Sequence, residues 1–193
     1  MKNKILIING HPAKASFNKA IVNAYEKGAK SNNVEVKHLV IADLKFNPFI
    51  EGYNKETKTE TDILKAQELI SWADHLVWVY PTWWGTMPAL VKSFIEQTFM
   101  PGFAFKYKKN EKVVKWDKYL TGKSAHLIST MDAPTWYTKY FIGDPGFKTI
   151  KYIMNFCGIK PVKRTYFGSV KVSSEKQRKQ WLAKTEQLGR KLK

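Results

Sequence analysis

Hydrophobic positions along the chain recur in two alternating rhythms. Ile5-Leu6-Ile7-Ile8 and Leu76-Val77-Trp78-Val79-Tyr80 are apolar runs without a polar break, the pattern of strands covered on both faces. Ser124–Ser129 and Val162–Phe167 predict two more strands. Val34–Ile41 predicts another, and its imperfect alternation of Val34, Val36 and Val40 with Glu35, Lys37 and Leu39 fits a sheet edge. Between the runs the period lengthens. Phe17, Ile21, Tyr25 and Gly28 mark a helix that starts near Ser16 and stops by Asn32-Asn33. Ile63, Ala66, Ile70 and Ala73 mark a second, over Asp62–Ala73, and Leu90, Val91, Phe94 and Ile95 a third that Pro88 opens. The spacing predicts further helices over Phe147–Phe156 and from Ser173-Ser174 through Trp181, Thr185 and Leu188.

Three stretches stand outside these rhythms. Phe46–Thr61 is polar and irregular and reads as a loop. Phe103–Tyr107, after the break at Pro101-Gly102, has the spacing of a short strand or a pocket wall. Pro134–Phe147 carries Trp136, Tyr137, Tyr140 and Phe141. Five strands, each followed by a helical segment, predict one α/β domain over residues 1–193 with a doubly wound sheet.

Charge and composition narrow the function classes. The net charge is +17, and of 33 basic residues only Arg164, Arg178 and Arg190 are arginines. Dispersed lysines such as Lys14, Lys19, Lys27, Lys30, Lys106, Lys108, Lys109 and Lys112 suit a solvated basic surface better than base or phosphate reading, which favours arginine's planar fork. No nucleic-acid partner is therefore expected, although phosphate-bearing ligands would be attracted. Cys157 is the single cysteine, which excludes an internal disulfide and a thiolate metal cluster. His38, His75 and His126 lie at no metal-ligand spacing, so no metal site is expected. No run reaches the roughly 18 apolar residues of a membrane span. The four apolar residues after Lys2 and Lys4 fall short of the roughly 7 to 15 in a secretory leader. The cytoplasm is the expected compartment.

Candidate chemistry gathers at strand ends. Gly10-His11-Pro12-Ala13-Lys14-Ala15-Ser16-Phe17-Asn18 crosses from the first strand to the first helix, where free N–H groups and the helix dipole favour an anion. It has neither Gly-x-Gly-x-x-Gly nor Gly-Lys-Ser/Thr, which leaves a phosphate cradle or an ordinary capped connection. Pro81-Thr82-Trp83-Trp84-Gly85-Thr86 leaves the carboxyl end of the central strand, the usual ligand side of an open α/β sheet. Two adjacent tryptophans there form a wall for a flat ligand, or fold back onto the core or into a subunit contact.

His11-Pro12 with Ser16-Phe17-Asn18, Ala73-Asp74 before the central strand, Pro81-Thr82-Trp83-Trp84 with Met87-Pro88-Ala89, and Phe94-Ile95 running into Gly102-Phe103-Ala104 together resemble the flavodoxin-like NAD(P)H:quinone oxidoreductases. That family includes DT-diaphorase, modulator of drug activity B and the potassium-efflux ancillary flavoproteins, and the resemblance covers nearly the whole chain. It implies a flavodoxin-like five-stranded parallel sheet of order 2-1-3-4-5 with helices on both faces. It implies flavin with NAD(P)H as co-substrate, hydride transfer to a quinone-like small acceptor, and a homodimer. By the same resemblance His11, Ser16, Phe17 and Asn18 hold the phosphate and ribityl chain. Pro81, Thr82, Trp83, Trp84 and Gly85 border the isoalloxazine, and Ser129, Thr130 and Met131 form its third side. The family's frequent Gly-Gly pair is replaced here by Met131-Asp132. Tyr137 falls where the family has a catalytic tyrosine, while Phe141-Ile142-Gly143-Asp144 lacks the accompanying histidine. A short C-terminal region without an evident adenine cradle favours FMN over FAD. The competing expectations are a flavodoxin-type electron carrier and a nucleotide-sensing regulatory subunit of a transporter.

Overall fold

A computed structural model describes residues 3–50, 52, 59–109 and 113–191. Lys2, Lys112 and part of the predicted 46–61 loop lie outside the described residues. The main sheet comprises β1 (Asn3–Asn9), β2 (Val34–Val40), β3 (His75–Pro81), β6 (Ser124–Thr130) and β7 (Val162–Phe167). All its pairs are parallel, in the order β2-β1-β3-β6-β7. Counted within that sheet, this is the expected 2-1-3-4-5. The strand with broken alternation, β2, is indeed at an edge.

Two cores sandwich the sheet because successive side chains of a strand face opposite ways. On one side Leu6, Ile8, Leu76, Trp78 and Leu127 meet α2 (Thr61–Trp72), α3 (Ala89–Thr98) and α5 (Pro145–Cys157). On the other, Ile5, Ile7, Val77, Val79 and Ile128 meet α1 (Phe17–Ala29) and α6 (Glu175–Lys191). These two helices cross with backbones nearly touching. A Cβ on Gly28 would lie 1.9 Å from Glu186 O, and one on Gly189 would lie 2.2 Å from Tyr25 O.

Several boundaries differ from the sequence reading for local reasons. Strand β2 stops at Val40, where Ile41–Asp43 turns through a 3-10 segment that buries Ile41. Helix α5 starts at Pro145, because proline suits a first helical position. Helix α6 starts at Glu175, with Ser174 Oγ accepting the Gln177 N–H at 3.2 Å. The aromatic stretch after β6 contains a six-residue helix, α4 (Thr135–Tyr140). Phe105–Tyr107 is a short strand, β4, paired antiparallel with β5 (Trp116–Lys118). Trp-Asp-Lys has too little apolar pattern to announce a strand. Trp116 instead secures it, stacking on Phe156 at 4.3 Å and donating its indole N–H to Phe156 O.

Candidate functional site at the carboxyl ends of β1, β3 and β6

Parallel strands deliver three loops to one edge of the sheet, and hydrogen bonds tie the loops together. Gly10 N–H donates to Val79 O at 2.8 Å, drawing the exit of β1 against β3. A Cβ there would lie 2.6 Å from Val91 Cγ2, so any larger residue would force Val91 aside. Asn9, buried at the strand end, accepts the His11 N–H through Oδ1 at 3.1 Å. The His11 Nδ1 lies 2.9 Å from Ala13 N and 3.2 Å from Ala13 O, and in the tautomer that accepts the Ala13 N–H, Nε2 carries the ring proton. Ser16 caps α1, its Oγ accepting the Lys19 N–H at 3.3 Å. The first turn of α1 has no acidic residue, so nothing offsets the positive end of its dipole.

Asn18 lies beneath this turn at 2% exposure. Its Oδ1 accepts the Thr130 hydroxyl at 2.8 Å, joining α1 to the end of β6. Its Nδ2 has no hydrogen-bond partner among the described residues. A buried donor left unmatched costs about 1–3 kcal/mol.

The loop after β3 is fixed equally firmly at its root. Thr82 N–H donates to Thr130 O at 2.7 Å, and Thr82 Oγ1 lies 2.6 Å from Ser129 Oγ. Beyond it Trp83 and Thr86 exchange two backbone hydrogen bonds across Trp84 and Gly85, both at positive φ, 51° and 79°. This is a tight turn of the I′ kind. It parts the two indoles. Trp83, half exposed, meets the His11 ring edge-on at 6.4 Å between centroids. Trp84 is fully exposed and borders a groove of about 340 Å³ with Thr86, Met87, Lys92, Pro145 and Thr149.

The sequence-predicted residues thus divide. His11 meets Trp83, Asn18 meets Thr130, and Thr82 meets Ser129. Pro81 is buried at the end of β3, paired with Thr130. Phe17 turns instead toward α6, packing on Trp181 at 6.0 Å. Met131 is buried, its Sδ accepting the Thr138 hydroxyl at 3.3 Å. Tyr137 stacks on Phe141 at 5.7 Å and meets Trp136 edge-on, in a cluster that is largely exposed. Gly85 faces the same segment: a Cβ built on it would lie 3.9 Å from Ile142 Cγ2. Beside the crevice, a cavity of about 620 Å³ is lined by Thr135, Trp136, Tyr166, Ser174, Gln177 and Trp181 among others.

The structure adds groups that pattern reasoning passed over. Asn9 is a polar side chain buried at a strand end. Asp144 is a buried carboxylate whose partners are Arg164 and Tyr166. A Gly-Asp-Pro step into a helix was the available signal. Burial pushes the Tyr166 phenol's pKa up, reinforced by the nearby Tyr80 and opposed by Arg164, so it remains a donor. Burial likewise pushes the Cys157 thiol up to about 12, consistent with a small core residue and no nucleophile. Among the described residues no group of histidine, cysteine or carboxylate side chains could hold a metal ion.

Comparison with known proteins follows the same geometry. The chain matches the family described as flavodoxin-like fold over residues 3–191. An uncharacterized NAD(P)H oxidoreductase of Haemophilus influenzae is 29% identical over 181 residues, 90% of this chain and 88% of that protein. NAD(P)H dehydrogenase [quinone] 1 of Cavia porcellus is 29% identical over 125 residues, 54% of this chain but 46% of that longer protein. The crystal structure of Smu.1420 from Streptococcus mutans superposes with a TM-score of 0.84 at 34% identity, covering 97% of this chain and 99% of that one. An FMN-dependent NADH-azoreductase from Bacillus anthracis, solved in complex with FMN, shares the fold with a TM-score of 0.76 at 20% identity, covering 98% of this chain and 99% of that one.

Proposed function

From the premise that this chain belongs to the family of flavodoxin-like fold that it matches over residues 3–191, and from its similarity to an NAD(P)H oxidoreductase, we propose that it binds FMN and oxidises NAD(P)H at the expense of a quinone or similar small acceptor. The observation that carries this reading is the convergence of three loops around the orphaned Asn18 amide, with His11 against Trp83. The donor set fits FMN. The free amides at the start of α1, His11 Nε2–H and Asn18 Nδ2 suit a phosphate with its polyhydroxylated chain. Ser16 orients the first turn, and the exposed Lys14 and Lys19 add a positive field.

FMN, when bound, supplies the two-electron chemistry that links a nicotinamide donor to the acceptor. The protein's share is binding, orientation and electrostatics. Thr82 and Ser129, locked to each other, hold the loop backbone beside the ring site, with Pro81 and Thr130 fixing its root. Trp83, edge-on to the His11 ring, would wall the ring site on the His11 side. Gly85 lets the turn close, and Met131 supports the third loop from below. Tyr137, partly exposed beside Phe141, would supply a phenol donor to negative charge on the reduced flavin. Trp136, Tyr140 and Phe141 on and after α4, and the fully exposed Trp84 on the turn after β3, leave apolar rings uncovered, which supports a homodimer with these rings at the subunit contact. Among the described residues no helix is long and apolar enough to cross a membrane.

Steady-state kinetics test the reading. FMN-loaded protein should oxidise NADPH or NADH rapidly when a quinone is supplied and only slowly without one. A protein that takes up no flavin contradicts it. Flavin uptake without nicotinamide oxidation would leave an electron carrier.

A further inference from the structure

We propose that Asp144 is a positioning residue for this site: its buried carboxylate, gripped by Arg164 and Tyr166, holds the Tyr137 segment against the turn formed by Trp83–Thr86. The inference rests on the reading of the site given above.

Asp144 is 4% exposed and adopts a left-handed conformation, φ 62° and ψ 46°, which a side chain other than glycine takes up only at a cost. It stands at the N-cap of α5, yet its carboxylate does not cap the helix. The side chain turns to β7 instead, where Arg164 Nη1 donates to Oδ2 and Tyr166 Oη donates to Oδ1. Arg164 is itself braced over the Phe147 ring, 4.5 Å from its centroid. Two charge-assisted bonds in a buried setting outweigh a helix cap, so they dictate the backbone of the residue that carries them.

That backbone reaches both walls of the crevice. Asp144 N–H donates to Thr138 O at 3.0 Å, and Thr138 is buried with its hydroxyl on Met131 Sδ. Tyr137, its neighbour, accepts the Phe141 and Ile142 N–H groups at 2.9 and 3.1 Å. In the other direction Gly146 lies flush with the turn after β3, where a Cβ would sit 3.2 Å from Thr86 Cα and 3.3 Å from Gly85 O. One carboxylate is therefore the joint between β7, the Tyr137 segment and the tryptophan turn. Among the described residues Asp144 makes no hydrogen bond to β1 or α1, where the proposed phosphate end lies.

Three variants separate a carboxylate clamp from a backbone requirement or a general loss of stability. Asp144→Asn keeps size and tolerates the left-handed region, Asp144→Gly relieves the strain, and Tyr166→Phe removes one hydroxyl from an otherwise intact network. In flavin-free protein, Asp144→Asn should speed amide exchange over residues 135–144 about 10-fold or more while the amides of β1 and α1 stay protected. Asp144→Gly should behave the same way, and Tyr166→Phe should move exchange in the same direction by less. In FMN-loaded protein the quinone KM should rise about 10-fold, with the FMN dissociation constant changed less than about 3-fold. Unchanged exchange in Asp144→Gly and Tyr166→Phe, or acceleration spread evenly through the chain, would overturn the proposal. If wild-type protein takes up no FMN, the redox reading falls, and the exchange contrast alone decides whether Asp144 is the clamp.

Discussion

The two sides of the crevice are held by different forces. On the β1 and α1 side the chain closes on itself through directional bonds: Gly10 to Val79, Asn9 to His11, Thr130 to Asn18 and Thr82 to Thr130. Most of these groups are buried. On the α4 side, rings lean on rings, with Trp136, Tyr137 and Phe141 mutually packed and Tyr140 and Phe141 exposed at 80% and 73%. Among the described residues the first side closes within one chain, leaving the Asn18 Nδ2 donor and the first amides of α1 without partners. The second leaves apolar surface that a lone chain does not bury, the surface on which the proposed homodimer rests.

The largest expected effect breaks the cradle. On the proposed function, Asn18→Asp would set a carboxylate against the phosphate, and two like charges about 4 Å apart repel by about 4 kcal/mol at an effective dielectric of about 20. FMN affinity should fall about 1000-fold by fluorescence titration, whereas the same change at Tyr140 should leave it within about 3-fold. Acid tests the end of the sheet remote from both sides. Burial, with smaller contributions from His126 and Lys163, lowers the His75 pKa to about 4. The unfolded chain takes up this proton near pH 6.5 and the folded one does not, so stability is full above that pH. It should be lost as pH falls from about 6.5 to 4, by roughly 3 kcal/mol at most. Denaturant midpoints should follow that slope in wild type and flatten in His75→Gln. Next comes Gly10→Ala, whose methyl would press on Val91. It should cost about 1–3 kcal/mol by chemical denaturation, while Trp84→Ala on the rim should stay within about 0.5 kcal/mol. Smallest for a single chain is Phe141→Asp. Its folding stability should barely change, but self-association should weaken about 10-fold or more by sedimentation, as befits an aromatic anchor in an interface.

Those contrasts also explain what could be read without coordinates. Strand β3 and helix α3 were legible because their patterns, five apolar residues and then a period near four, each suit one environment only. The tie between the first turn and the tryptophan loop was legible as well, since parallel topology puts the ends of adjacent strands side by side. What stayed hidden depended on contacts between remote residues. Asp144 looks like any loop aspartate until β7 brings Arg164 and Tyr166 to it. The parting of Trp83 from Trp84 depends on a positive φ at Trp84, which a residue other than glycine does not advertise. Phe17 was legible as a helix residue, but its turn toward Trp181 required the close crossing of α1 and α6 at Gly28 and Gly189.

The central claim is that the cradle and the tryptophan turn together hold a redox-active flavin open to two small partners in succession. An anaerobic titration of the FMN-loaded protein addresses it directly. Adding NADPH or NADH should bleach the visible flavin bands in stoichiometric proportion, and a following addition of quinone should restore them. Bands that ignore the nicotinamide, or that bleach and then fail to return with quinone, would contradict the account.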